Sequence, residues 1–293
     1  MPEAPNEDKV MTFWEHTEEL AKRLRVILYT LFASTVAIMV LPADPSFLRN
    51  PLEFYVPLIA LILKAVREQI LPPNVRLIGL ELVAPIELYV VASFILGVAV
   101  TIPVIAYEIY RFVDPALRPQ ERRGVYPFLL YFSALFIFGL FFGYKVITPV
   151  LVGATFPFFY AIGAEPIVSI LEFYNVVFIT TLVTGLAFTF PTILVILVKY
   201  GVIGTDMLTK NRRYLYAGWF IATAVLTPDG GPVADLILFA PTVALMETGL
   251  LIARRYEKNR QPVLVEIRPT CRFCGAPIPS SSGFCPKCGK AQR

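Results

Sequence analysis

Charge is scarce in this chain: Asp, Glu, Lys and Arg make up only 16% of its 293 residues, against ~25% in an ordinary soluble domain. Such a composition argues against a soluble fold with the usual charged surface. The formal net charge of +4 is too small to point to a nucleic-acid partner. Histidine is represented by His16 alone. No H-E-x-x-H or G-x-S-x-G sequence occurs, and no pair of aspartates sits mid-block. The common hydrolase sets are therefore missing, an intramembrane hydrolase is disfavoured, and no enzymatic activity is expected. Cysteine does not occur before Cys271, so no disulfide can staple the body of the chain. Residues 1–9 are mostly polar, and no cleavable signal peptide is expected.

What the chain has instead is apolar side chain, 56% of the total. It comes in long blocks, not in the 3.6-residue stripe of a soluble amphipathic helix, and such blocks belong to lipid-facing helices. They cover about residues 26–41, 84–106, 126–147, 173–198, 214–226 and 233–253. Most approach the ~20 residues that a hydrocarbon core of ~30 Å requires. Residues 54–63 form a further apolar stretch, cut by Pro57 and followed by Lys64, and read as an interfacial or re-entrant helix. The block at 214–226 covers only ~20 Å at ~1.5 Å per residue; charge parity keeps it as a span.

That parity comes from the links. Lys22, Arg23 and Arg25 precede the first block. Arg111, Arg118, Arg122 and Arg123 join the second to the third; Lys199, Lys210, Arg212 and Arg213 join the fourth to the fifth. Arg254, Arg255, Lys258 and Arg260 follow the sixth. The links after the third and fifth blocks hold no Lys or Arg. With six spans, every strongly basic short link falls on one face, which is then the cytoplasmic one, with both termini there. Arg49, Lys64, Arg67 and Arg76 in the first external loop are exceptions, as is Lys145, placed to snorkel at the outer end of the third span. The fold expected is an all-α polytopic membrane protein of six transmembrane helices. Residues 1–11 form a polar N-terminal tail and residues 12–256 the membrane domain.

Pro103, Pro191 and Pro241 interrupt the blocks, and such breaks survive in lipid where neighbouring helices satisfy the freed backbone groups. Gly139-x-x-x-Gly143 permits close helix contact, within the chain or across a dimer. No internal repeat is evident, which weakens an inverted-repeat transporter. An ion-coupled solute transporter using Glu87 and Glu247 is still the alternative function, since an ionisable group inside an apolar block is costly and functional by default.

The composition changes in the tail. After a linker at 257–270 come Cys271-Arg-Phe-Cys274-Gly and Cys285-Pro-Lys-Cys288-Gly. Two Cys-x-x-Cys pairs place four thiolates at the corners of a tetrahedron, the ligand set of structural zinc. In the cytoplasm thiols stay reduced, which argues against disulfides. Residues 271–293 are therefore expected to form a zinc ribbon with Cys271, Cys274, Cys285 and Cys288 as ligands. So short a module has almost no core, and the metal would supply its folding energy.

Two polar segments flank the blocks. In Phe13-Trp14-Glu15-His16-Thr17-Glu18-Glu19-Leu20-Ala21-Lys22-Arg23-Leu24, helical spacing faces Glu18 to Lys22 and Glu19 to Arg23. This is either a solvated interfacial helix or a surface carboxylate awaiting a cationic ligand. In Phe112-Val113-Asp114-Pro115-Ala116-Leu117-Arg118-Pro119-Gln120-Glu121-Arg122-Arg123, two prolines give the link a fixed shape. Glu121 there either neutralises its neighbouring arginines or takes a guanidinium from outside, in the bidentate geometry that carboxylate and arginine share.

In this order, these segments resemble the twin-arginine translocase C subunit family (TatC). The N-terminal motif of the family, roughly H-L-x-E-L-R-x-R-L, corresponds to His16 through Leu24, and its first cytoplasmic loop, roughly F-x-x-P-x-L-x-x-x-E-R, to Phe112 through Arg122. Gly185-Leu-Ala-Phe-Thr-Phe-Pro191, Asn211-Arg212-Arg213-Tyr214, Leu226-Thr227-Pro228-Asp229 and Met246-Glu247-Thr248-Gly249 also fit. The resemblance implies a receptor for signal peptides bearing paired arginines, the core of a translocase that exports folded proteins across the cytoplasmic membrane using the proton-motive force. It implies that Glu19 and Glu121, with Phe112 and Arg122, bind the signal peptide. Pro51, Pro115, Thr189, Asp229 and Glu247 fall at structural or partner-contact positions. The partners implied are single-span TatA-type subunits in a multimeric complex, with TatB-type subunits an open addition. The chain departs from the pattern at Ala21, where the family has arginine, and at Thr189, where glutamate is common. The cysteine tail lies outside the family pattern.

Overall fold

The computed structural model describes residues 13–43, 55–113, 125–226 and 231–259, together with residues 274, 284 and 287–290 of the tail. The chain divides into two compact units, Met1–Glu257 and Lys258–Arg293. The described residues of the first are mostly helical.

Helix α1 runs over Phe13–Val40, a stretch free of proline and glycine, and ends just ahead of Pro42, whose ring disfavours helical backbone in the residue before it. The apolar stretch after it forms α2, Leu58–Ile70, too short to span at ~1.5 Å per residue. Its Ile59, Leu63, Val66 and Ile70 are buried at the spacing of one helical face. Strand β1, Arg76–Ile78, leads into α3, Ala84–Val113. Strand β2, Ile167–Ser169, leads in the same way into α6, Ile170–Lys199. The two strands pair in parallel, Leu77 opposite Val168. This pairing places the starts of α3 and α6 at one end of the bundle.

Between them lies the largest departure from the sequence expectation. The pattern of apolar residues ends the third block at residue 147, before Thr148-Pro149. The chain instead continues as α4, Val125–Phe142, a π-helical turn at Gly143–Ile147, and α5, Thr148–Ala161. Pro149 has no N–H, and its ring crowds the carbonyl four residues back, at Lys145. The wider turn over Gly143–Ile147 takes up that conflict without ending the helix. Gly163 (φ 71°) and Gly201 (φ 72°) adopt the left-handed conformation just after α5 and α6, the usual way a helix is closed. A short α7, Thr205–Lys210, precedes the last pair, α8, Arg212–Leu226, and α9, Gly231–Asn259.

Among the described residues, five helical stretches are long and apolar enough to cross a membrane: Thr17–Val40, Ala84–Phe112, Pro127–Ala161, Ile170–Lys199 and Asp235–Arg255. They overlap the first four and the sixth of the expected spans. The expected fifth lies in α8, whose 15 residues cover only ~22 Å.

Glycine brings the long helices together. A Cβ on Gly139 would lie 2.8 Å from the Phe188 Cβ and 2.9 Å from the Gly185 Cα; one on Gly143 would lie 2.9 Å from the Thr184 Cβ. The Gly139-x-x-x-Gly143 pair therefore serves to pack α4 against α6 inside the chain. A Cβ on Gly97 would run into the Thr35 hydroxyl oxygen and lie 3.1 Å from the Thr35 backbone nitrogen, so the missing side chain permits the close crossing of α1 and α3.

One core cluster joins α2 to α3, α5 and α6 through Ile59, Leu63, Leu88, Ala92, Val152, Phe156, Tyr174 and Val177. There the buried Tyr174 hydroxyl donates to the Leu63 carbonyl at 2.8 Å. The Lys145 ammonium donates to Gln69 Oε1 at 2.8 Å, at the end of α2. A second cluster ties α8 and α9 to α6. In it Trp219 stacks on Phe190, with centroids 4.1 Å apart, and donates from Nε1 to Thr242 Oγ1 at 3.0 Å.

Candidate functional site

The antiparallel crossing of α1 and α3 positions the charge cluster. Near mid-helix, Ser34 Oγ donates to the Gly97 carbonyl at 3.2 Å and lies 3.3 Å from Thr101 Oγ1. From this crossing, about three turns back along α1 and three turns on along α3 bring Arg23 opposite Glu108. Glu19 stands one turn before Arg23 on the same face of α1.

The three side chains form a triad. Arg23 donates from Nε to Glu19 Oε1 at 3.2 Å, and its Nη2 also bonds that oxygen. Its Nη1 donates to Glu108 Oε2 at 3.2 Å. The side chains of Glu19, Arg23 and Glu108 are only 19%, 15% and 9% exposed, so water screens their charges less than at an open surface. Arg23 therefore engages a single oxygen of Glu19. The other, Oε2, is buried and accepts no hydrogen bond from the described residues. A buried acceptor left unpaired is unusual and costly, and calls for an explanation such as a missing donor. The triad holds two carboxylates against one guanidinium, and it retains attraction for a further cation.

Of the expected site residues, the structure brings Glu19 into this triad and places the half-buried Phe112 one turn beyond Glu108 on α3. Glu121, Arg122, Pro115, Pro51 and Asp229 lie outside the described residues. Thr189 is buried, and its hydroxyl donates to the Leu186 carbonyl of its own helix at 2.7 Å. Glu247 accepts a hydrogen bond from Tyr216 and pairs with Arg212 Nη1 at 3.5 Å, which fastens α8 to α9. Glu257 accepts from the Thr205 N–H at 3.2 Å and from its hydroxyl, holding the start of α7 to the end of α9.

Cys274 and Cys288 are exposed, whereas Cys271 and Cys285 lie outside the described residues. Among the described residues, no cluster of three or more His, Cys, Asp or Glu is placed to hold a metal ion. The four-cysteine zinc expectation falls mainly on residues not described.

Sequence reasoning missed Glu108. The signal was present: a carboxylate inside a long apolar helix is expensive wherever it occurs, the rule that singled out Glu247. Its position near the end of a block made it look like an ordinary boundary residue, and only the fold shows that Arg23 meets it.

Several apolar helices of spanning length, with a charged triad at one end of the bundle, define a polytopic helical membrane protein. The sequence matches the family described as Sec-independent protein translocase protein (TatC) over residues 15–241. It is 31% identical over 245 residues to the chloroplastic Sec-independent protein translocase protein TATC of Oryza sativa subsp. japonica, covering 82% of this chain and 62% of that one. It is 30% identical over 255 residues to the Sec-independent protein translocase protein TatC of Deinococcus radiodurans, covering 86% of this chain and 88% of that one. The fold is similar to a crystal structure of the twin-arginine translocase receptor TatC, with a TM-score of 0.64 at 26% identity over 83% of this chain and 99% of that one. The chain belongs to the TatC family of Sec-independent protein translocase proteins, a protein-transport family and not a catalytic one. It spans 62% of the length of the rice relative and 65% of that of the chloroplastic relative from Arabidopsis thaliana.

Proposed function

We propose that this protein is the signal-peptide receptor and core subunit of a twin-arginine translocase, exporting folded proteins across the cytoplasmic membrane with the proton-motive force. The observation that carries the reading is the half-used carboxylate of Glu19. It is half-buried, bonded through one oxygen only among the described residues, and its second oxygen is suited to accept a charge-assisted hydrogen bond from an incoming arginine. Glu121, with Phe112 and Arg122, would supply the second half of the arginine-pair site, and Pro115 its loop geometry.

In this reading α8 is the fifth of six spans, and both termini face the cytoplasm, because only that count gathers the basic links on one side. Residues 12–256 are the membrane domain, residues 257–270 a linker and residues 271–293 a zinc ribbon. TatA-type single-span subunits, and a TatB-type subunit where one exists, join the complex. Pro51, Thr189, Asp229 and Glu247 mark structural or partner-contact positions. With its hydroxyl bonded to Leu186, Thr189 would contribute shape more than a polar contact.

The test is peptide binding to the full chain in nanodiscs. A signal peptide with paired arginines should bind at least tenfold more tightly than one with paired lysines, and Glu19→Gln or Glu121→Ala should remove most of that difference. Equal affinity for both peptides, unchanged in the variants, would refute the receptor reading.

A further inference from the structure

The receptor reading leaves one residue of the triad without a role. Glu108 is 9% exposed, sits on a different helix from Glu19, and touches it only through Arg23. An arginine one turn from a glutamate on the same helix has an obvious resting place, a two-oxygen fork on that carboxylate. Arg23 does not adopt it. Its Nε and Nη2 share Glu19 Oε1, while Nη1 reaches across to Glu108 Oε2 at 3.2 Å. Glu19 Oε2 is buried and unbonded among the described residues.

We propose that Glu108 is a positioning residue for the arginine-pair site: by holding Nη1 of Arg23 it prevents that guanidinium from closing on both oxygens of Glu19, and so keeps Oε2 available to the ligand. The inference rests on the reading that Glu19 binds the signal peptide. It adds that the resident arginine is a potential competitor for the same carboxylate, restrained by a second acid on α3. Because the restraint crosses the α1–α3 contact, the binding competence of Glu19 depends on the packing of Gly97 against Thr35 and Ser34.

Removing Glu108 frees Arg23 to fork onto Glu19. Affinity of the full chain in nanodiscs for a paired-arginine peptide should then fall about tenfold in Glu108→Ala, the scale of one charge-assisted hydrogen bond. Glu108→Gln retains an acceptor and should lose less. The decisive measurement is the double variant Glu108→Ala/Arg23→Gln, which has neither restraint nor competitor. Its affinity should return to within about threefold of the unaltered chain, a factor worth less than ~0.7 kcal/mol. If Glu108 only braces α3 against α1, the double variant should bind as weakly as Glu108→Ala or more weakly, and that result would overturn the proposal. Unchanged affinity in Glu108→Ala would overturn it too. Should Glu108→Ala fail to fold, the pair Glu108→Gln and Glu108→Gln/Arg23→Gln decides by the same comparison. Glu19→Gln separates the two levels. If it leaves binding untouched, the receptor reading itself fails; if it abolishes binding while Glu108→Ala does not weaken it, only the positioning role fails.

Discussion

Replacing Gly139 with alanine adds one methyl group where α4 meets α6. The new Cβ would stand 2.8 Å from the Phe188 Cβ, 2.9 Å from the Gly185 Cα and 3.0 Å from the Thr184 carbonyl oxygen. Two of these are backbone atoms and the third is fixed to the backbone, so no rotamer change relieves the contact. Ordinary carbon–carbon contact lies at ~3.5–4.0 Å, so the helices must separate by roughly 0.7 Å or more. Overpacking of this kind costs ~1–3 kcal/mol. Alanine returns up to ~1 kcal/mol through its better helix propensity. The net expectation is a loss of about 0–3 kcal/mol, with the loss of close packing between α4 and α6 as its cause. Gly153 provides the control. It is also helical, and a methyl group added there would meet nothing within 4 Å, so Gly153→Ala should keep the propensity gain alone. Thermal unfolding of the two variants in the same detergent should rank Gly153→Ala above the unaltered chain and Gly139→Ala below Gly153→Ala by ~1–3 kcal/mol. Equal stability of the two variants would refute the argument that Gly139 is held by close contact.

Two further expectations follow from single contacts. Tyr174→Phe removes the hydroxyl that donates to the Leu63 carbonyl at 2.8 Å in a buried setting. It should cost ~0.5–1.5 kcal/mol, the net worth of one hydrogen bond, since the mid-helix carbonyl keeps its main-chain partner, and hydrogen exchange should rise first in α2; unchanged exchange there would contradict the anchoring role. In the tail, metal analysis of the purified chain should find one zinc per polypeptide, lost on Cys271→Ser or Cys285→Ser. Peptide binding by the membrane domain should persist without it. Absence of bound zinc in protein purified without chelator would dispose of the ribbon.

Much of the fold is legible in the sequence because a bilayer demands it. Long apolar blocks and the rule that lipid leaves no backbone group unpaired make helices the only workable reading of residues 84–106 or 173–198. The stretch at 54–63 reads as a short interfacial or re-entrant helix, and the structure has a short helix, α2, starting there, with one buried face. Boundaries are less legible where local and tertiary terms conflict. Pro149 signals an end to the third block, yet the helix continues to Ala161, since a π-helical turn absorbs the proline and the extension buries Val152 and Phe156 against α2 and α6. The parallel pairing of β1 with β2 carries no usable signal, because three-residue strands are too short to show a period of two.

The candidate site divides in the same way. Its first part, Glu19 facing Arg23, is visible in one stretch of chain, since residues four apart on a helix are neighbours whatever else the protein does. Sequence alone thus determined the membrane-spanning character of the chain, its helical blocks, the skew of its basic links and the local carboxylate–arginine pair, all of which depend on composition or on spacing within a single helix. Only the tertiary structure could decide that Gly139 and Gly143 serve contacts inside the chain, and that Glu108 completes the triad. Those facts depend on how one helix crosses another, as at the close approach of Gly97 to Thr35, a contact to which no local pattern refers.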